Sequence, residues 1–192
     1  EGVANSKSVR FRKKASSSGD IAGTLELGET VTVFEEIVHK NGNVWYKIKT
    51  SKGKQGYVLS DYLSIPETDR IEAAKNHPDG RKMKLKVRAG CSDYNHVGKN
   101  WTQYFEWNGV KVNENTMEAY AAPDVELSLY VRIREQDKKP DTTMDTLLHT
   151  PTADAIANGF QLEQTIKVEE NAGNYKGKIA VWKITYTFSP AE

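Results

Sequence analysis

The amino-acid sequence predicts an all-β protein in two parts, a small barrel over the first third and an antiparallel sandwich over the rest. Three observations predict it. Apolar and polar residues alternate along most of the longer runs, which is the period of a strand with one packed face and one wet face. Clusters of Gly, Asn, Asp and Pro punctuate those runs at short intervals. Only one stretch carries helical spacing, so no crossover helix is available for a parallel sheet, and antiparallel pairing is expected.

The elements follow in chain order. Before residue 65 several short alternating segments are separated by Gly28, Gly42, Gly53 and Gly56. A barrel of short strands needs tight turns and bends at such points. Val31, Val33, Val44, Ile48 and Val58 are its expected core. Residues 65–80 read as a short helical linker. Pro66 stands at its start, Ile71 and Ala74 share one side, and His77-Pro78-Asp79-Gly80 ends it. Its composition is too charged for a core element.

The sandwich is expected over residues 81–192. Met83, Leu85, Val87 and Ala89 alternate with Lys82, Lys84, Lys86 and Arg88, the apolar set inward. Trp101, Gln103, Phe105 and Trp107 share a face, as do Val125, Leu127, Leu129, Val131 and Ile133. Ala180, Trp182, Ile184, Tyr186 and Phe188 repeat the pattern near the end. Asn108-Gly109, Asn113-Glu114-Asn115, Ala122-Pro123-Asp124, Asn158-Gly159 and Asn171-Ala172-Gly173-Asn174 are the turn signals between runs.

Composition narrows the function. Lys and Arg number 27 against 26 Asp and Glu, a net charge of +1. That balance gives no footprint for duplex nucleic acid, which takes many uncompensated cations, and none for a membrane-surface helix. No apolar run reaches the roughly 20 residues that span a bilayer. The chain opens on Glu1-Gly2-Val3 without a Met. A removed signal peptide or lipoprotein anchor would leave such a start, and so would a chosen boundary. Cys91 is the single cysteine, so no internal disulfide forms. It follows a strand pattern rather than opening a helix, and a nucleophile's lowered pKa is not expected there.

The chemistry-bearing motifs are few. There is no Gly-rich phosphate loop, no helical H-x-x-x-H and no G-x-S-x-G elbow. His39, His77, His96 and His149 are scattered among turns, and nothing singles out Glu106 and Glu118 as a glycosidase pair. Trp101, Tyr104 and Trp107 could form a sugar platform, but Trp101 and Trp107 lie on the face a sandwich buries, and core is the better reading. Glu135, Asp137, Asp141 and Asp145 gather in one short acidic stretch. Ca²⁺ takes six to eight oxygens, which such a loop could supply with backbone carbonyls and Asp93 or Asn95. Lys138 and Lys139 oppose a cation there, and the balance falls on a solvated charged loop, with Ca²⁺ as the alternative. No other cofactor is expected.

Seven ordered pieces carry a family resemblance. They are Val9-Arg-Phe-Arg12, Ala15-Ser-Ser-Ser18, Ile21-Ala-Gly-Thr-Leu25, Gly28-Glu-Thr-Val-Thr-Val33, Trp45-Tyr-Lys-Ile48, Gly53-Lys-Gln-Gly-Tyr-Val58 and Asp61-Tyr-Leu63. Over residues 7–64 the chain resembles a bacterial SH3 domain of the SH3b type, whose pattern runs from N-V-R through G-x-L and W-x-K-V to G-W-V and Y-L. Arg10 stands where Asn is usual and Phe11 where Val is usual; Lys13-Lys14-Ala15 replaces the Gly-Pro that often follows the Arg. The resemblance implies an SH3-like barrel, no catalysis, and a ligand in the cell wall, peptidoglycan peptide or glycan, or on a surface protein. Trp45, Tyr46, Tyr57, Asp61 and Tyr62 are the residues placed to bind it, with Arg12 and Lys14 near. Trp45 and Tyr57 sit at family positions that are commonly core, so a structural role stays open for them.

Residues 81–192 resemble the C-terminal β-sandwiches of secreted bacterial proteins, similar in fold to calcium-dependent lipid-binding sandwiches. Tyr94-Asn-His-Val-Gly-Lys-Asn-Trp101 and Glu135-Gln-Asp-Lys-Lys-Pro-Asp141 carry that likeness. The expectation is therefore a non-catalytic binding protein, secreted or anchored in the cell envelope. The alternative is an accessory fragment of a larger exported protein whose catalytic part lies elsewhere.

Overall fold

A computed structural model describes residues 1–39, 42–136 and 140–191. The chain divides into two compact units, Glu1–Pro66 and Glu67–Glu192. The protein is nearly all β, an SH3-like barrel and a sandwich, as the alternation predicts.

The first unit runs β1 (Gly2–Ala4), β2 (Val9–Arg12), β3 (Ile21–Leu25), β4 (Thr30–Val38), β5 (Val44–Thr50), β6 (Gln55–Leu59), a 3-10 turn at Ser60–Tyr62 and β7 (Leu63–Ser64). These form one curled sheet in the order β3-β2-β6-β5-β4-β1-β7, every pairing antiparallel. Val9, Phe11, Leu25, Val31, Ile48, Val58 and Leu63 close its core, with Val33 and Tyr46 packed against them. Val44 is buried outside that cluster. A bulge between Val33 and Glu35 breaks the register with β5 and leaves Phe34 exposed.

The second unit opens with α1 (Thr68–Asn76) and continues β8 (Arg81–Asp93), β9 (Trp101–Trp107), β10 (Val110–Lys111), β11 (Thr116–Ala121), β12 (Leu127–Glu135), β13 (Thr142–His149), α2 (Ala153–Asn158), β14 (Phe160–Glu169) and β15 (Ile179–Pro190). Two four-stranded antiparallel sheets result, β10-β9-β12-β13 and β11-β8-β15-β14. Their inner faces bury Leu85, Trp107, Leu129, Ile133, Tyr186 and Phe188. Phe188 stacks on Phe160 at 4.4 Å and meets Trp107 edge-on at 5.2 Å.

Two helices refine the sequence reading. The segment expected as a linker forms α1, but it counts with the second unit: Ala74 is buried and the helix packs on β11. Its first turn is tied down by the Glu67 amide donating to the Asn108 carbonyl at 2.9 Å and by Arg70 pairing with Glu67 and Glu126. The other helix, α2, is absent from the periodicity. Its caps are nonetheless written in the chain: Thr152 accepts from the Ala155 amide at 3.2 Å, and Gly159 ends it with φ 85°.

Candidate functional site

In the first unit, alternation along β2 decides which side chains face outward. Val9 and Phe11 turn into the barrel core, so Arg10 and Arg12 turn the other way. On β5 and β6 the same rule puts Trp45 and Leu59 opposite the core side, and these two are direct cross-strand partners. The chain before β2 adds Lys7 and Ser8, and the 3-10 turn adds Tyr62. Together with Val9, Ser17 and Asn43 these residues line a cleft of about 440 Å³.

The cleft is mixed in character and of one charge. Among the described residues its lining holds Lys7, Arg10 and Arg12 and no carboxylate. Trp45 is only 4% exposed and contributes an apolar wall, while Tyr62 is 46% exposed and presents its ring at the rim. Arg12 is positioned by its loop: Nη1 donates to the Gly19 carbonyl at 2.6 Å. That bond, with the Lys13 amide on the Asp20 carbonyl at 2.9 Å, fixes the excursion between β2 and β3. A cationic concavity with aromatic edges suits a ligand carrying carboxylate or another anionic group beside an apolar or sugar face.

Of the expected binding residues, the structure brings Trp45 and Tyr62 together in this cleft. Tyr57 shares the outward face, opposite Arg12 and Lys47, but does not line it. Tyr46 lies on the other side of β5 and packs against the barrel core. Asp61 is half-buried and outside the lining. Of the two cations noted beside the motif, Arg12 lines the cleft and Lys14 does not. Lys7 and Arg10 escaped the sequence reading. The signal for Arg10 is plain in retrospect, because the order Val-Arg-Phe-Arg is itself an alternation.

The acidic stretch of the second unit resolves into a hydrogen-bonded seam. Asp141 Oδ1 accepts from the Asn171 amide at 3.2 Å and from Asn171 Nδ2 at 2.7 Å. Asp145 Oδ2 accepts from Gln164 Nε2 at 2.9 Å, and Gln164 Oε1 accepts from the Tyr186 hydroxyl at 2.9 Å. Thr143 Oγ1 donates to the Lys167 carbonyl at 2.8 Å between them. These bonds join β13 of one sheet to β14 and the loop after it in the other. Glu135 pairs its amide with the Asp141 carbonyl at 2.9 Å, and both side chains are buried. Asp137 lies outside the described residues. Among the described residues no three His, Cys, Asp or Glu side chains gather as a cation site. Asp93 is used locally, accepting from the Asn95 amide at 2.9 Å.

Cys91 lies within β8, opposite Trp182, and burial pushes its thiol up. That is the opposite of what a nucleophilic thiolate needs. Trp107 is fully buried and Trp101 packs at 5.2 Å on Trp182, so both belong to the sandwich interior. No helix among the described residues is long and apolar enough to cross a membrane.

A family model described as bacterial SH3 domain matches residues 7–64. No curated protein and no solved structure matches the chain. The match covers β2 to β7, six of the seven strands of the curled sheet, and the core they enclose apart from Ala4 of β1. Residues 7–64 of this chain are a bacterial SH3 domain.

Proposed function

We propose that the chain is a non-catalytic binding protein of the cell envelope, whose SH3 domain docks an anionic cell-wall peptide in the cleft around Lys7, Arg10, Trp45 and Tyr62. Bacterial SH3 domains are commonly cell-wall or peptidoglycan binding modules, and this supports the choice of ligand. The observation that carries the reading is the lining itself, which among the described residues holds three cations, two aromatic rings and no carboxylate. Peptidoglycan stem peptides expose carboxylates on a compact backbone, and Arg10 and Lys7 can meet them with charge-assisted hydrogen bonds. Tyr62 and Trp45 supply contact area at little conformational cost. An extracytoplasmic site of action follows from that ligand.

The test is sedimentation of the full chain with purified peptidoglycan. Tyr62→Ala is expected to weaken binding about tenfold, since losing a ring that closes over the ligand commonly removes ~1.4 kcal/mol. Arg10→Gln is expected to weaken it by a similar factor, while Asp61→Asn leaves it within about twofold, Asp61 being outside the cleft. If both cleft variants pellet like the parent chain, or nothing pellets, this assignment is wrong.

A further inference from the structure

The outer face of the sheet β11-β8-β15-β14 carries a row of cations that the cleft does not use. Along β8 the outward positions are Lys82, Lys84, Lys86 and Arg88, all exposed. Alternate residues of a strand stand about 6.8 Å apart, so these form a straight line of evenly stepped positive charge. Two carboxylates on the neighbouring strands are each bonded to a lysine. Glu118, across from Lys84 on β11, bonds Lys82 Nζ at 2.7 Å, and Glu163 on β14 bonds Lys183 Nζ at 2.8 Å. The middle of the row meets hydroxyls instead. Lys86 lies between Thr116 and Thr187, Arg88 lies beside Thr185, and Lys84 lies between Glu118 and Ser189.

We infer that this face binds an extended polyol-phosphate chain, a phosphodiester polymer without bases. Charge complementarity sets the sign of the partner, and the row sets its form: a linear polyanion whose charges repeat at a step close to that of alternate strand residues. The threonine hydroxyls beside Lys86 and Arg88 donate to phosphate oxygens, and the strand partners of those two cations include no carboxylate. The lack of rings selects against nucleic acid. Single-stranded nucleic acid is held by aromatic stacking platforms, and the positions around Lys84, Lys86 and Arg88 are Thr, Ser and Glu, with Tyr120 only at the edge opposite Lys82.

The inference stands apart from the SH3 cleft and is tested separately. The full chain is titrated with poly(glycerol phosphate) by interferometry at about 50 mM salt. Binding is expected, with log K falling against log salt at a slope of about −2, as three released counterions give. The variant K84Q/K86Q/R88Q is expected to lose at least about tenfold, and Lys183→Gln, whose charge is already paired, much less. Peptidoglycan stripped of anionic polymer should bind the triple variant as well as the parent chain, which keeps a failure here distinct from a failure of the cleft. These side chains are exposed, so melting temperature should hold. Should the triple variant melt early, Arg88→Gln and the charge-adding Thr187→Lys replace it, the first weakening and the second strengthening binding. No binding of the polymer, unchanged binding by the variants, or equal affinity for a single-stranded oligonucleotide of the same charge would each overturn the inference.

Discussion

Phe11 shows how one residue rewrites its surroundings. It stands where the SH3 pattern usually has Val, and its ring occupies the barrel core at under 2% exposure. The space comes from two glycines. A methyl group at Gly23 would collide with the Phe11 ring, and one at Gly56 would lie 2.7 Å from both the ring and the Arg12 carbonyl oxygen. Neither glycine is needed for a positive φ; each is needed for close approach. Gly23→Ala is therefore expected to destabilise the domain by about 1–3 kcal/mol through overpacking, measured by urea unfolding. The double variant F11V/G23A should recover most of the loss, and no recovery would mean that the cost lies in the backbone instead. The same strand made half of the cleft legible. Val9 and Phe11 inward required Arg10 and Arg12 outward; Tyr62 was legible through the family pattern, whereas Lys7 reaches the cleft from a turn, for which no period exists.

At the scale of elements, the strands were the most readable feature because a strand's period survives in one dimension. Met83, Leu85 and Val87 are buried while Lys82, Lys84 and Lys86 are exposed, as alternation requires. Asn108-Gly109 makes the tight β9–β10 hairpin with φ 48° and 72°, the geometry that this pair favours. The seam between β13 and β14 was not readable, because Asp141, Asp145, Gln164 and Asn171 come from separate strands and a loop. Its buried end is the Tyr186 hydroxyl, which desolvation, with the Asp145 charge added, holds above the ordinary tyrosine value. The sign of the pH effect follows. Below about pH 10 the tyrosine is neutral in both states and its stabilising contribution is whole. Above that the unfolded chain releases the proton and the folded one does not, so stability falls as pH rises. Tyr186→Phe is expected to cost about 1 kcal/mol at neutral pH through the lost hydrogen bond and to flatten the alkaline decline. Equal alkaline slopes in denaturant midpoints for parent and variant would refute that account.

For the whole molecule, the net charge of +1 conceals its distribution. Lys7, Arg10 and Arg12 converge on one cleft, and Lys84, Lys86 and Arg88 on one sheet face, while Asp141 and Asp145 are spent in the seam and Glu118 and Glu163 in surface pairs. A near-neutral protein with such patches should bind wall material in a salt-sensitive way. Raising salt from about 0.05 to 0.5 M, which shortens the Debye length from roughly 14 to 4 Å, is expected to release most of the chain from peptidoglycan sediments. Salt-insensitive pelleting would shift the weight of binding from the cations to the aromatic rings. The sequence by itself determined the all-β class, the SH3 pattern of residues 7–64, the inward-facing apolar residues of β8, β9, β12 and β15, and the turns between runs. These are local properties, set by periodicity and by backbone preferences of neighbouring residues. Only the tertiary structure decided that Trp45 and Tyr62 share a cleft with Lys7 and Arg10, that Tyr46 belongs to the core, and that the acidic stretch spends Asp141 and Asp145 on Asn171 and Gln164. Those outcomes depend on which strands become neighbours, and strand pairing joins residues far apart in a chain whose one-dimensional pattern carries no record of the partner.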